Sequence, residues 1–132
     1  MKQIITPDSN KIVYADLSYA IVGAFFDVHT ALGAGFVESI YEKALVEEFS
    51  ERKLKIETQK IINLYYKKKK IGIHKLDMVV EDKVVLELKA VDRFCIHHKA
   101  QLRSYLKAGG YKLGILVNFS KSKVEYERIL IR

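Results

Sequence analysis

The chain has 132 residues, 49% of them hydrophobic and 30% charged, which is typical of one globular domain with a single core. No apolar run approaches the ~20 residues of a membrane-spanning helix, and no secretory signal pattern is evident, so no membrane association is expected. Cys95 is the only cysteine, which excludes an intrachain disulfide and a CxxC zinc site and predicts a reducing, cytoplasmic setting. The net charge of +7 suits a polyanionic partner.

Helical periodicity marks three segments of the chain. Residues 1–12, which contain Pro7, are expected to form a polar N-terminal arm. Apolar residues then recur at helical spacing and predict helices at about 14–32, 37–52 and 97–108. Asp16 or Ser18 is expected to cap the first helix, and Gly33 is expected to end it. The pair Gly109 and Gly110 is expected to stop the third helix.

Apolar and β-branched residues predict five strands, at about 55–66, 71–80, 84–90, 112–119 and 124–131. The four lysines at 67–70 are expected to form the turn between the first two strands. A strand, helix and strand from Val84 to Asn118 imply a right-handed crossover and a locally parallel pair. The sequence therefore predicts an α/β fold, a mixed central sheet flanked by helices in the order ααβββαββ, with the last strand at an edge.

The segment 76–89 carries the clearest chemical pattern, two apolar strands joined by a polar turn. Side chains alternate along a strand, so Glu87 and Lys89 share one face. A turn around Asp82 would set Asp77 opposite Glu87 on that face, where two carboxylates repel unless a divalent cation neutralises them. The pattern of Asp, Glu and a nearby Lys is what a metal-dependent phosphodiesterase needs.

An ordinary hairpin also carries acids and lysines in alternation on a solvated face. The neighbouring residues here are apolar on both faces of both strands, which is typical of strands covered by helices. Charged groups on buried strands are costly unless they are paired or bound to metal. This context favours a site over a solvated surface.

Together with this hairpin, two further motifs make the chain resemble the GxxExxY family, a branch of the PD-(D/E)XK nuclease superfamily. The naming motif stands at residues 35–41 as GFVESIY. Residues 101–105, QLRSY, resemble the QxxxY motif on the helix after the ExK strand of RecB-type nucleases. The resemblance extends from Val28 to about Phe119 and implies the restriction-endonuclease-like core. Lys75 stands where the family commonly has an arginine, which keeps the charge but loses the planar fork.

The resemblance implies a metal site on the hairpin. Asp77, Glu87 and the backbone carbonyl of Leu88 are expected to hold Mg²⁺ or Mn²⁺, hard cations that accept carboxylate oxygens. Lys89 is expected to orient the attacking water and to stabilise charge on the phosphate, with a strand-end lysine as the alternative. Glu38 is expected to assist catalysis, unless it is an acid matched to the helix dipole.

The helix after the hairpin predicts a polar stripe. Gln101 and Tyr105 lie one turn apart, and His98 lies one turn earlier. Gln101 is expected to bond a catalytic carboxylate or a nucleotide. Tyr105 is expected to pack against a base or sugar, or else to lie in the core. His98 and, on the first two helices, His29 and Tyr41 are assigned structural roles, His29 between those two helices.

Basic residues outside the hairpin complete the predicted site. Lys67, Lys68 and Lys75 are expected to contact the phosphate backbone of a nucleic acid, where each contact adds salt-sensitive affinity. The alternative for the lysine run is a solvated turn.

The function predicted on this basis is hydrolysis of phosphodiester bonds in nucleic acid, with DNA favoured, by metal-activated water. One alternative is a catalytically weak or inactive nuclease-fold module that binds nucleic acid or regulates. Another is an interaction protein that presents a tyrosine-rich basic surface. A homodimer that grips two strands is a further expectation.

Overall fold

The computed structural model describes residues 13–132, and the predicted arm at residues 1–12 lies outside the described residues. The helices are α1 (Ala15–Leu32), α2 (Glu38–Glu51) and α3 (Ile96–Gly109). The strands are β1 (Ile56–Tyr66), β2 (Lys69–Val80), β3 (Val84–Lys89), β4 (Leu113–Asn118) and β5 (Glu125–Leu130). The predicted order ααβββαββ is confirmed.

The five strands form one mixed sheet in the order β1-β2-β3-β4-β5. The pair β3 and β4 is parallel, and the other neighbouring strands are antiparallel. Since α3 connects β3 to β4, the predicted parallel pair is confirmed, as is the edge position of β5, while the right-handed sense of the connection stays a prediction. Within residues 13–132, no helix is long and apolar enough to cross a bilayer.

Two buried clusters lie on opposite faces of this sheet. The larger joins α1 and α2 to alternate strand residues such as Met78, Leu86 and Ile115. The smaller joins α3 to the intervening residues, among them Val85 and Leu116. Because both faces of β3 are covered, Val84–Leu88 are all buried, as the apolar flanks predicted. Glu87 falls by alternation on the α3 face.

The ends of the elements show where local rules held. Gly33 (φ 72°) ends α1 and Gly110 (φ 79°) ends α3, as predicted, because glycine adopts a positive φ at least cost. The predicted caps Asp16 and Ser18 are wrong. The Ser18 N–H already donates to the Tyr14 carbonyl, so the helix begins before both residues, and the side chain of the N-cap residue, Tyr14, makes no capping hydrogen bond.

The turn between β1 and β2 is shorter than predicted. Only Lys67 and Lys68 form the loop, with φ values of 49° and 68°, and Lys69 already pairs with Tyr66. Two successive residues with positive φ are the signature of a type I′ hairpin turn, whose twist matches that of the flanking strands. The other two lysines of the run therefore belong to β2.

Candidate active site

The hairpin of β2 and β3 has the predicted register. Met78 pairs with Leu86 and Val80 with Val84, which centres the turn on Asp82 and sets Asp77 opposite Glu87. Side chains then replace the backbone ladder. The Asp77 N–H donates to Oε2 of Glu87 at 3.0 Å, and the Leu88 N–H donates to Oδ2 of Asp77 at 2.8 Å. These reciprocal bonds hold the two carboxylates side by side.

The sheet is also irregular on the β1 side of Asp77. Its opposite residue, Gln59, has a φ of 53°, and its side-chain amide donates to Oε1 of Glu42 on α2 at 3.0 Å. Leu76 and Val79 both pack on the α3 side, so the alternation of faces shifts at Asp77. The first predicted metal ligand thus stands where the ladder is interrupted toward both neighbouring strands.

Burial dominates the electrostatics of the carboxylate pair. Glu87 is only 6% exposed, and burial raises its pKa from 4.5 to about 7, with Asp77 adding to the rise. Burial also raises the pKa of Asp77, while the Leu88 N–H and the Lys89 ammonium act in the opposite direction. Two acids that ionise reluctantly so close together favour a bound proton or a cation.

The donor set fits a hard divalent cation. The hydrogen bonds described above occupy one oxygen of each carboxylate, which leaves Oδ1 of Asp77 and Oε1 of Glu87 without a protein donor among residues 13–132. No three His, Cys, Asp or Glu side chains in those residues gather at one metal position. Mg²⁺ commonly binds through one or two carboxylates and keeps several waters, so two acids and the Leu88 carbonyl suffice.

Lys89 and Glu38 lie close to this pair. Lys89 follows Glu87 by two residues on the same face of β3, and its charge lowers the pKa of both acids. Glu38 is the first residue of α2, and its Oε2 accepts a hydrogen bond from the Ala90 N–H at 3.1 Å. Its charge contributes to the raised pKa values of Asp77 and Glu87. The start of α2 therefore meets the end of β3 beside the carboxylates.

Gln101 and Tyr105 of α3 face the same region. Burial raises the pKa of Tyr105, the Glu87 carboxylate adds to this, and the neighbouring Gln101 side chain opposes it. The Tyr105 ring stacks on the His74 ring, with centroids 3.5 Å apart. His98 has the structural role predicted for it, since it accepts a hydrogen bond from the Cys95 N–H at 3.2 Å and closes a capping box at the start of α3.

Tyr41 and His29 support the surrounding loops. The Tyr41 hydroxyl donates to the Gly33 carbonyl at 2.6 Å, and its buried ring stacks on Phe119 at 4.5 Å. His29 Nε2 lies 2.7 Å from the Lys121 carbonyl oxygen. His29 therefore joins α1 to the segment after β4 rather than to α2, where the sequence placed it.

Of the three predicted phosphate-contacting lysines, Lys75 lies two residues from Asp77 on β2, whereas Lys67 and Lys68 lie far from the carboxylates. Lys75 is exposed on β2, opposite Ile61. Lys67 and Lys68 form the tip of the β1–β2 hairpin. At ~3.3 Å per residue, this tip is about 30 Å along the strand from Asp77. The structure thus brings the acids and Lys89 together but sets Lys67 and Lys68 at the tip of a projecting hairpin.

Two residues near the pair had not been predicted. Glu42 lies one helical turn after Glu38, and burial raises its pKa, with Asp77 contributing in the same direction. In the sequence, the four-residue spacing between Glu38 and Glu42 could have indicated that both side chains lie on one face of α2. Burial lowers the pKa of His74, and within residues 13–132 its Nε2 is buried without a hydrogen-bond partner. His74 is linked to the site because its ring stacks on Tyr105, and the sequence around His74 does not predict this contact between distant segments.

Asn118 is a third residue that sequence reasoning missed. It is fully buried at the end of β4, in register with Lys89. Its side chain donates to the Val91 carbonyl at 2.8 Å and accepts from the Val91 N–H at 3.1 Å. Asn118 therefore fixes the chain just after Lys89. A polar residue that ends a buried strand was the available signal.

A separate surface depression of about 720 Å³ lies between α1 and β5. Tyr19, Phe26 and Tyr126 line it beside the ion pair of Arg52 with Asp27. None of the candidate site residues borders this depression.

Comparisons with known proteins agree with this fold. The crystal structure of SSO0001 superposes on 88% of this chain with a TM-score of 0.55 and 18% identity, a likeness that concerns the fold alone. The chain spans 58% of the length of that protein. No curated protein matches the chain at a significant level. A family model described as the PD-(D/E)XK nuclease superfamily matches residues 15–129. Because that match spans most of the sequence and the sheet has the corresponding topology, the chain belongs to the PD-(D/E)XK nuclease superfamily.

Proposed function

We propose that this protein is a metal-dependent nuclease that hydrolyses phosphodiester bonds of nucleic acid, DNA in the first place. One observation carries the proposal. Two carboxylates, the buried Glu87 and the half-buried Asp77, are fixed side by side because each accepts a hydrogen bond from a backbone N–H of the other strand, with Lys89 on the same face of β3 as Glu87. An arrangement that raises the pKa of Glu87 to about 7 has an electrostatic cost, which a catalytic or binding role accounts for.

The chain's own residues have distinct parts in this chemistry. Asp77, Glu87 and the Leu88 carbonyl would hold Mg²⁺ or Mn²⁺, which when bound neutralises the acids and makes a coordinated water more acidic. Lys89 would stabilise the negative charge that develops on the phosphate oxygens. Glu38, exposed at the start of α2, would accept a hydrogen bond from the attacking water, and Gln101 would orient a carboxylate or the nucleotide.

Cleavage assays test the proposal directly. Purified protein would be incubated with labelled single- and double-stranded DNA and RNA, with Mg²⁺, with Mn²⁺ or with EDTA. Cleavage is expected only with metal and is expected to vanish in Asp77→Asn and Glu87→Gln. The matched control is Asp82→Asn, which removes an exposed acid from the turn of the same hairpin. Equal cleavage by all four proteins would reveal a contaminating nuclease and contradict the assignment.

A second candidate is a nuclease-fold module that binds nucleic acid with little turnover. The observation in its favour is that no third His, Cys, Asp or Glu side chain of residues 13–132 completes a metal cluster with the pair. Calorimetry separates the two candidates. Divalent-cation binding that Glu87→Gln abolishes supports the nuclease, whereas DNA binding without any cation binding supports the module.

Three finer points belong to the same proposal. The motif at residues 35–41 supports membership of the GxxExxY branch, since it places Glu38 and Tyr41 on one face of α2. A cytoplasmic location is supported by Cys95, an exposed free thiol of the kind that persists in reducing compartments. A homodimer would let two sites act on two strands, and gel filtration combined with light scattering tests it.

A further inference from the structure

The β1–β2 hairpin extends far beyond the rest of the sheet. Residues 60–76 lie in this outer part, which we call the basic ribbon. Strand β3 pairs with β2 only at Met78, Val79 and Val80, so among residues 13–132 the part of β2 from Lys69 to Leu76 pairs only with β1. Helix α3 covers one face of the ribbon through Ile62 and Leu76, which belong to its cluster. Among residues 13–132, no segment covers the opposite face, where Ile61, Ile71 and Ile73 are exposed.

The charge of the chain is concentrated in this ribbon. Six of the 23 Lys and Arg residues lie within residues 60–76, and none of the 16 Asp and Glu residues does. The rest of the chain is therefore close to neutral, although the net charge is +7. Lys60 is bound to Glu57 and lies over the Tyr111 ring. The other five lysines are exposed, and among residues 13–132 none of them forms an ion pair.

The tip of the ribbon has an unfavourable backbone for its residues. Lys67 and Lys68 both have positive φ in a turn that strongly prefers Asn-Gly. A backbone conformation that is rare for a residue type costs free energy. Its presence therefore motivates the hypothesis that the side chain at that position has a function. The two lysines thus occupy the exposed tip of the hairpin at a conformational cost.

Apolar side chains accompany these charges on the open face. Ile61, Ile71 and Ile73 are 53%, 68% and 49% exposed, and Tyr65 is 61% exposed. A two-stranded ribbon fits the ~12 Å major groove of B-form DNA, whereas the major groove of duplex RNA is too narrow for it. Uniformly positive charge opposes pairing with a second copy of the same ribbon.

From these observations we propose that the basic ribbon docks duplex DNA through the major groove and presents the backbone to the Asp77 site at its base. This inference rests on the proposed function, because it identifies how that site receives its substrate. Lys67 and Lys68 contact phosphates at the far end of the ribbon, and Lys75 contacts them near Asp77. The apolar side chains between them lie against base edges.

The test measures equilibrium binding of the full chain to a 24-base-pair duplex by fluorescence anisotropy in EDTA, so that no cleavage occurs. The key variant combines Lys67→Asn with Lys68→Gly, which removes two charges and supplies the residues that the turn prefers. The control combines Lys53→Asn with Lys83→Gln, two exposed lysines outside the ribbon, and makes the same charge change. The RNA duplex of the same sequence serves as the second probe.

Loss of two phosphate contacts should lower the slope of log K against log salt by about 1.8, which corresponds to ~60-fold weaker binding in 0.1 M salt. The control should lose less than about threefold through its general charge change. The RNA duplex should bind the wild type more weakly than the DNA duplex does. Its affinities for the wild type and for the two variants should also differ less than those of DNA. Equal losses in the two variants, equal binding of both duplexes, or no DNA binding by the wild type would each overturn the proposal.

Cleavage assays keep this inference separate from the proposed function. If the ribbon docks the substrate, the Lys67→Asn/Lys68→Gly variant requires more DNA for half-maximal cleavage and keeps its rate at saturation. Normal cleavage with unchanged DNA binding by this variant would refute the proposed role of the ribbon and would leave the proposed nuclease activity supported. A tenfold or larger binding contrast without cleavage in any protein would support the ribbon and refute the nuclease.

Discussion

Replacement of Glu87 by glutamine should stabilise the metal-free protein at alkaline pH. The Glu87 carboxylate is buried beside Asp77, and its pKa in the folded protein is raised to about 7. Glutamine retains an oxygen to accept the Asp77 N–H and removes the buried charge. It also brings an amide donor to the Asp77 carboxylate, so the variant relieves repulsion without a loss of packing volume.

The expected effect follows from proton linkage. Between pH 4.5 and about 7, the folded wild type binds more protons at Glu87 than the unfolded chain does, so its stability falls as pH rises through this range. The loss of stability caused by Glu87 is complete above pH 7 and absent below pH 4.5. At 1.36 kcal/mol for each pH unit, it amounts to ~3 kcal/mol, a large part of the 5–15 kcal/mol typical of a domain.

Urea unfolding in EDTA at pH 4.5 and pH 8 measures this difference. Glu87→Gln should exceed the wild type by ~3 kcal/mol at pH 8 and by much less at pH 4.5. The exposed acid of Glu47→Gln provides the control, since its removal should change the free energy of unfolding little at either pH. A variant no more stable than the wild type at pH 8 would show that the Glu87 carboxylate is not held in the desolvated environment described.

Four further outcomes are expected. Divalent-cation affinity of the wild type, measured by calorimetry, should rise about tenfold per pH unit up to pH 7 and level off above it, because the bound form of Glu87 is the ionised one; a flat profile would argue against this ligand. Lys89→Met should abolish cleavage and leave cation binding intact, so loss of both would indicate misfolding instead. Tyr41→Phe should cost about 1–2 kcal/mol in urea because the Gly33 carbonyl loses its donor, and unchanged stability would contradict that bond's importance. Lys67→Asn with Lys68→Gly should stabilise the folded protein by about 1–2 kcal/mol, because Asn and Gly adopt the two positive φ angles with less strain than lysine. A destabilised variant would show that the lysines are not strained there.

Most of the fold was predictable from sequence because it follows from periodicity. The apolar run of β3 and β4 predicted strands covered on both faces, and the helix between them predicted their parallel pairing. The hairpin register was predictable for the same reason. Once Asp82 is the turn, alternation places Asp77 opposite Glu87 without any knowledge of the rest of the chain.

Contacts between distant segments were not predictable in this way. Nothing in the sequence near Asn118 indicates that its side chain binds Val91, since the pair meets only after β4 aligns with β3. The stacking of His74 on Tyr105 likewise depends on how α3 packs over the hairpin. The predicted capping residues of α1 were wrong for a local reason. The backbone hydrogen bond from the Ser18 N–H to the Tyr14 carbonyl shows that the helix begins before either of them.

The reciprocal bonds of the carboxylate pair join its folding role to its chemistry. Where the backbone ladder is interrupted, the Asp77 and Leu88 amides are satisfied by side-chain oxygens of the opposite strand. Alanine at either acid would leave a part-buried amide without its acceptor and would cost about 1–3 kcal/mol in addition to any lost catalysis. Asparagine and glutamine keep an oxygen acceptor, remove the charge and add an amide donor. If cleavage fails in those variants while the unfolding transition stays cooperative, the loss belongs to the chemistry of the pair and not to the fold that it helps to hold.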